Sequence, residues 1–327
     1  LVVIFSMVAL SLVVLTGWAG QVSLGQVAFV GIGAAVGGWC TSVKGWDLAV
    51  ALVAAGAIGA VIAIVIGIPA LRMRGLHLAV ATLAFAHVTS TYLLDQGEFA
   101  WLPGDRLPRH DVLGLIPIES ETQYFYFALA CLVLVLLSVR RLRASRVGRV
   151  IIGTRENERA AQAYGVNATR AKLTAFAFSG FIAAFAGALF AHHQQSLGIT
   201  AYATEESLVV FTMVVIGGLG SVPGAILGAA YVEGSKYFMP AELAFFAGGV
   251  GLLLVLIVLP GGLGGAMYQL RDGYLRWVAE RRKILVPSLV ADARSIDAIT
   301  STGRERGLAM LRQLADVMEA SSKVHVK

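Results

Sequence analysis

The apolar residues of this chain fall into long blocks separated by short polar connectors. Crossing about 30 Å of hydrocarbon takes roughly 20 helical residues. The blocks Leu1–Leu15, Val22–Cys40, Leu48–Ile68, Leu76–Leu94, Tyr124–Val139, Leu173–His192, Leu208–Tyr231 and Leu243–Leu259 approach or reach that length. The seventh carries Gly220–Pro223 inside it, which predicts two short segments with a break between them. The pattern predicts an all-α integral membrane protein, a polytopic helical bundle of about 8–9 transmembrane segments, some broken or re-entrant. Leu1 already lies inside an apolar run and is not a Met, so a few upstream residues are expected to be missing.

The connectors orient the bundle. Between Arg140 and Lys172 lie Arg140, Arg141, Arg143, Arg146, Arg149, Arg155, Arg159, Arg170 and Lys172, against Glu156 and Glu158. Basic connectors stay in the cytoplasm. The segment after the last block, with Arg271, Arg276, Arg281, Arg282 and Lys283, belongs on the same side. Two cytoplasmic ends require an even number of crossings between them, which favours dividing Leu208–Tyr231 in two. The connector Asp95–Gln123 is acidic and stiffened by Pro103, Pro108 and Pro117, and is expected outside; the Arg72–Arg74 turn is expected inside. The chain then divides into a transmembrane domain, 1–270, containing the cytoplasmic connector 140–172, and a cytoplasmic tail, 271–327. Within the tail, Leu308, Leu311, Ala315 and Met318 recur at helical spacing and predict a short amphipathic helix over Gly307–Ala320.

Composition agrees with the pattern. Hydrophobic residues make up 57% and charged residues 14%, where a soluble domain carries roughly a quarter charged. Most of the 37 glycines lie inside apolar blocks, where small residues let membrane helices approach closely. The net charge of +6 is explained by the basic connectors, without nucleic acid. Cys40 and Cys131 sit in or beside apolar blocks and imply neither a disulfide framework nor a metal site.

The segment Gly148–Asn167 is the most informative connector. Thr154 can cap a helix over Arg155–Tyr164, with Glu156 and Glu158 near its positive N-terminus. Gly165 can end it in the left-handed conformation, Val166 can close a Schellman-type contact, and Asn167 can cap the helix that re-enters the membrane. The product is a stiff helical peg whose Ala160, Ala161, Ala163 and Tyr164 can seat in a groove of a partner; the plainer alternative is a solvated basic loop. In Gly17–Gly25 and Gly217–Gly224, glycines accompany Gln21, Ser23 and Gln26 or Ser221. Unwound backbone at membrane depth is tolerated only beside protein or a water-filled cavity, and broken helices of this kind line transporter paths. The pairs Gly33/Gly37 and Gly224/Gly228 have the spacing of close helix packing. Glu233 and Lys236 can pair across one turn. His77, His87, His192 and His193 read as packing or interface residues, with no clustered Cys or carboxylate beside them to hold a metal. No phosphate loop, nucleophile elbow or HExxH is present.

Four stretches, in order, resemble branched-chain amino acid permeases of ABC transporters of the LivM type (the LivM/LivH family). They are Gly17–Gly25, Arg74–Phe85, the connector with Gly148-Arg149, Arg155-Glu156, Ala160-Ala161 and Gly165-Val166-Asn167, and Val214–Ser221 followed by Pro223-Gly224. Gly153 stands where such permeases more often have Ala. The resemblance spans roughly Gly17 to Gly264, and the tail after Pro287 is longer than usual for the family. It implies an inner-membrane permease subunit, not an enzyme and holding no cofactor, that moves branched-chain or other apolar amino acids. ATP would be bound by two partner subunits; a second permease and an extracytoplasmic solute-binding protein complete the system. Coupling to the ATPase would fall to Gly148, Arg149, Arg155, Glu156, Ala160, Ala161, Tyr164, Gly165 and Asn167, and the substrate pathway to Gln21, Ser23, Gln26, Thr82 and Ser221. A urea or short-amide permease of the same family is the near alternative. A self-sufficient secondary transporter would require paired intramembrane acids or inverted repeats, and a membrane-bound enzyme a catalytic constellation.

Overall fold

The computed structural model describes residues 1–73, 75–95, 97, 99, 102, 103, 107 and 120–282, and every regular element among them is helical. Most of the acidic 95–123 connector and the expected helix over 307–320 lie outside the described residues. The chain forms two units, Leu1–Met267 and Tyr268–Lys327. The first begins with α1 (Val2–Leu12), which runs on as a π-helix over Val13–Trp18. It continues with α2 (Gln26–Ser42), α3 (Leu48–Ala70) and α4 (Leu76–Val88), extended by a π turn over Thr89–Leu93. Then come α5 (Glu121–Ala144), the short α6 (Arg146–Glu156) and α7 (Glu158–Ala163), and the long α8 (Ala168–Gln194). A 3-10 turn, Ile199–Tyr202, leads to α9 (Thr204–Gly217), α10 (Val222–Phe238) and α11 (Ala241–Val258). Helix α12 (Gly262–Arg281) begins in the first unit and its remainder is the described part of the second.

The helix boundaries follow local chemistry. Asp47 caps α3 by accepting from the Ala49 N–H at 2.8 Å, and Ser120 and Gln123 form a reciprocal capping box at the start of α5. Ser221 caps α10, whose first turn holds Pro223. Among the described residues five stretches are long and apolar enough to cross a membrane: Leu48–Ala70, Leu76–Leu93, Glu121–Ala144, Ala168–Gln194 and Gly249–Val278. The last is interrupted after Val258, where α11 gives way to a turn at Pro260–Gly261. Helices α2, α9 and α10, of 17, 14 and 17 residues, fall short of a full crossing. The sequence expectation of eight or nine spans therefore meets five full-length apolar stretches and several shorter helices.

Helix α8 is the axis of the first unit, flanked by α2 and α3. Inside a membrane no hydrophobic effect drives helices together, so backbones must come close enough for dispersion to act. Glycine makes that possible: a Cβ on Gly33 or Gly187 would overlap the backbone of Ala184 or Val30, and one on Gly59 the side chain of Ala184. Gly224 and Gly228 pack the same way, against the carbonyls of Gly217 and Met213. Polar ties join the helices. Buried His192 faces the Ala188 carbonyl at 2.7 Å and Thr41 Oγ1 at 3.0 Å, and the Tyr124 hydroxyl donates to the Leu189 carbonyl at 2.5 Å. Lys236 lies 2.9 Å from Glu233 and 3.6 Å from Glu206, tying α10 to α9. The outward faces of α3 and α5 are plainly apolar, with Val53, Val61, Val65 and Ile68 on one and Leu129, Val133, Leu134 and Leu137 on the other.

Candidate functional site

The site begins with a helix that fails to continue. After the π turn at Val13–Trp18 the chain doubles back: the Gln21 N–H bonds the Leu15 carbonyl at 3.0 Å, and Thr16 Oγ1 donates to the Gln21 carbonyl at 3.1 Å. Gly20, at φ +69°, makes the reversal. Helix α2 then starts at Gln26, whose amide reaches Ser11 Oγ at 2.6 Å and Ser179 Oγ at 3.0 Å. Ser11 lies seven residues before Trp18, about 10 Å back along the helix. Helix α2 thus starts deep inside the bundle rather than at its edge. Its unwound approach is satisfied by side chains from elsewhere: Leu24 N–H donates to Thr82 Oγ1 at 2.9 Å, and Val27 N–H to Ser207 Oγ at 3.3 Å. These are the partners that irregular backbone needs within a membrane.

Helices α6 and α7 build the peg from the other direction. Ser145 caps α6 through the Gly148 N–H at 3.1 Å. Gly148 is a glycine because a Cβ there would overlap the Leu142 carbonyl where α6 folds back on α5. Arg149 secures the same corner by donating to the Ala144 carbonyl at 2.8 Å. The helix expected over Arg155–Tyr164 is in fact two. Asn157, at φ −149° and ψ 92°, breaks the chain and caps α7 through the Ala160 N–H. Thr154 is not a cap: it is buried inside α6 and bonds the Val150 carbonyl at 2.8 Å. The exit follows the sequence reading, with Gly165 at φ +79°, Val166 N–H bonding the Ala161 carbonyl at 3.1 Å, and Asn167 capping α8 through Arg170 N–H. Lys172 pins α7 to α8 through Glu158 at 2.9 Å. Every residue of α7 stays at least partly exposed, and Tyr164 is 90% exposed. Arg146, Arg149 and Tyr164 surround a shallow cleft floored by Val150, Gly153, Ala161 and Val166.

The broken helix and the peg meet. Arg155 lies over Gly20 and donates through Nη1 to the Gly17 carbonyl. Arg143 lies over the Trp18 ring, 5.7 Å from its centroid, and Trp18 Nε1 reaches the Gly220 carbonyl at 3.4 Å. A Cβ on Gly17 would overlap the Leu219 carbonyl. Behind this, the Gly261–Gly262 turn packs on Gly217 and Gly218, the latter at φ +101°. Of the four stretches singled out in the sequence, three therefore converge on Gly17 and Trp18. The fourth, through Thr82, holds the unwound lead into α2.

The residues expected to line a pathway occupy a more internal position. Ser23, Gln26, Thr82 and Ser221 are buried and bonded within the chain, and Gln21 is partly buried with its Nε2 on the Ala19 carbonyl at 3.2 Å. Gln26 Oε1 alone among their side-chain atoms is buried without a partner. Sequence reasoning missed Ser11, Ser179 and Ser207. Ser11 satisfies its hydroxyl on the Val8 carbonyl of the preceding turn, while Ser179 donates to the Ser11 carbonyl 168 residues away; a lone serine in an apolar helix leaves no signal until such a partner is known. Among the described residues no cluster of His, Cys, Asp or Glu could hold a metal.

Comparison with known proteins adds to this geometry. Residues 1–259 match the family model described as branched-chain amino acid transport system / permease component. The chain is similar to the high-affinity branched-chain amino acid transport system permease protein LivM of Salmonella typhimurium, 30% identical over 286 residues covering 80% of this chain and 67% of the relative. The probable branched-chain amino acid transport permease protein LivM of Methanocaldococcus jannaschii is 27% identical over 66% of this chain and 68% of its own length. A permease named LivH from Salmonella typhimurium matches over 38% of this chain and 41% of its own length at 32% identity. No solved structure matches.

Proposed function

Since this chain belongs to the permease component family of branched-chain amino acid transport systems, we propose that it is the membrane permease subunit of an ATP-driven importer for branched-chain or other apolar amino acids. It is a multi-pass membrane transport subunit rather than an enzyme. In this reading two separate subunits bind the ATP, a second, similar permease completes the channel, and an extracytoplasmic solute-binding protein delivers the cargo. The chain sits in the inner membrane with α6, α7 and the tail in the cytoplasm, as the arginines of connector 140–172 favour.

One observation carries the proposal: the exposed peg is bonded directly to the broken helix, through Arg155 and the Gly17 carbonyl. A push on α7 from a nucleotide-driven partner is transmitted along α6 to Gly17 and Trp18, and from there to the Leu219–Ser221 turn. Glu156 and Tyr164, both exposed, face the partner; Ala160 and Ala161 shape the seat; Gly148, Arg149, Gly165 and Asn167 keep the peg rigid. Gln21, Ser23, Gln26, Thr82 and Ser221 hold the broken helices in the form that borders the pathway.

The test is uptake of radiolabelled leucine, against urea, into vesicles holding the complete importer. Leucine should accumulate and urea should not. Arg155→Glu with Glu156→Lys should lower leucine uptake by a factor of about 5–150, the range of ordinary coupling energies, while insertion and ATP hydrolysis persist. Normal uptake by that variant would remove Arg155 from the coupling route.

A further inference from the structure

We propose that the exposed face shared by α4 and α9 lines the aqueous path for the cargo, a role that rests on the importer reading above. Helix α4 and its π turn together, Leu76–Leu93, form one of the apolar stretches long enough to cross a membrane, yet they expose His77, Ala84, His87 and Thr91. At 100° per residue, positions 77 and 84 recur along one stripe, with 87 at its flank, and the exposed Thr91 follows in the π turn. From His77 to His87 the stripe climbs about 15 Å, half of a roughly 30 Å hydrocarbon layer. His87 Nδ1 lies 3.4 Å from Thr204 Oγ1 at the start of α9, and Ser90 Oγ lies 3.4 Å from the same hydroxyl. The stripe therefore continues onto the exposed side of α9, where Leu208 follows.

The His87 imidazole decides the matter. The Thr91 hydroxyl is satisfied by the His87 carbonyl at 2.7 Å and could face lipid at little cost. His77 stands at the helix start, beside the Arg72–Arg74 stretch of the sequence, but the His87 ring lies about 15 Å further along; its Nδ1 is 3.4 Å from Thr204 Oγ1, and hydrocarbon would offer its other nitrogen nothing. The outward faces of α3 and α5 show what this chain presents to lipid: Val53, Val61 and Val65, or Val133, Leu134 and Leu137. The α4–α9 face differs in kind, alternating polar positions with Val80, Val88 and Leu208. That mixture suits a zwitterion with an aliphatic side chain, held by several weak contacts rather than one tight site, as passage requires. The second permease supplies the opposite wall.

Single cysteines at Ala84→Cys, Thr91→Cys and Leu208→Cys, in a chain carrying Cys40→Ser and Cys131→Ser, test this in membranes holding the complete importer. The probe is a charged, membrane-impermeant methanethiosulfonate, and Val61→Cys on α3 and Leu134→Cys on α5 serve as lipid-facing references. All three path positions should react at least about tenfold faster than the references, because a thiol must ionise in water to react. Excess leucine should slow them. Reaction only with a lipid-soluble maleimide would place the face against lipid, and no reaction with either reagent would place it in a dry protein contact; both results overturn the proposal. Leucine uptake by the Cys-free parent reports separately on the importer reading, so the failure of one is distinguishable from the failure of the other.

Discussion

Arg155 shows how a single side chain acquires its meaning from its neighbours. By composition it is one of nine basic residues in connector 140–172, and in the sequence only the resemblance carried by Arg155-Glu156 separates it from Arg159 or Arg170. In the fold it donates to the carbonyl of a residue 138 positions away, beside Arg143 on the Trp18 ring. Its target works because it has no side chain. Gly17 is buried, and a methyl group there would occupy the space of the Leu219 carbonyl. Gly17→Ala should therefore destabilise the protein by about 1–3 kcal/mol, the usual cost of overpacking a closed contact, seen as a lower midpoint of thermal unfolding in detergent. Gly153→Ala, where a Cβ meets open space, should leave that midpoint unchanged or raise it slightly, since Ala favours helix over Gly.

At the scale of elements, the informative places are the interruptions. The connector reads as one helix because Ala, Glu, Arg and Gln are all good helix formers. Asn157 divides it, because its carboxamide can satisfy the Ala160 N–H better from a capping position than from a helix interior. The six-residue α7 is too short to persist alone and depends on that cap, the Gly165 exit and the Lys172–Glu158 pair. Asn157→Ala should cost about 1 kcal/mol locally, measured as faster hydrogen exchange of the 158–163 amides with slower exchange elsewhere unaffected. Leucine uptake should fall with it while ATP hydrolysis continues, since a loosened peg moves without pushing. The α9–α10 break, in contrast, was legible in advance near Gly220–Pro223, because Pro can begin a helix but not continue one; the structure breaks the chain at Gly218, with φ +101°, and takes Pro223 into the first turn of α10.

For the whole molecule the consequence is directional. The peg, the π turn at Trp18, the Leu219–Ser221 turn and the Gly261–Gly262 turn gather at one end of the bundle, while the Glu206–Lys236–Glu233 cluster sits beside Phe5, thirteen residues before Trp18, toward the other. A force applied at the first end reaches several helices at once, through backbone contacts that glycine leaves without cushioning side chains. The exposed Tyr164 reports on whether that end meets a partner. Tyr164→Cys, in the Cys-free parent, should label from the cytoplasmic side when the permease is alone and become protected when the ATP-binding subunits are added. Labelling from the opposite side would invert the topology and sever the proposed coupling.

The membrane class, the positions of most helices, the basic connector, the helix-ending role of Gly165 and the helix-starting role of Asn167 were all decided by the sequence alone. Each depends on local quantities: apolar length against bilayer thickness, charge against the membrane surface, and backbone freedom at one residue. Only the tertiary structure decided that Gln26 finds Ser11 and Ser179, that Thr82 serves backbone 58 residues away, and that Arg155 reaches the Gly17 carbonyl. These are pairings between distant segments. A hydrogen bond is specified by where two groups arrive, and arrival depends on how every helix packs, which no stretch of sequence contains by itself.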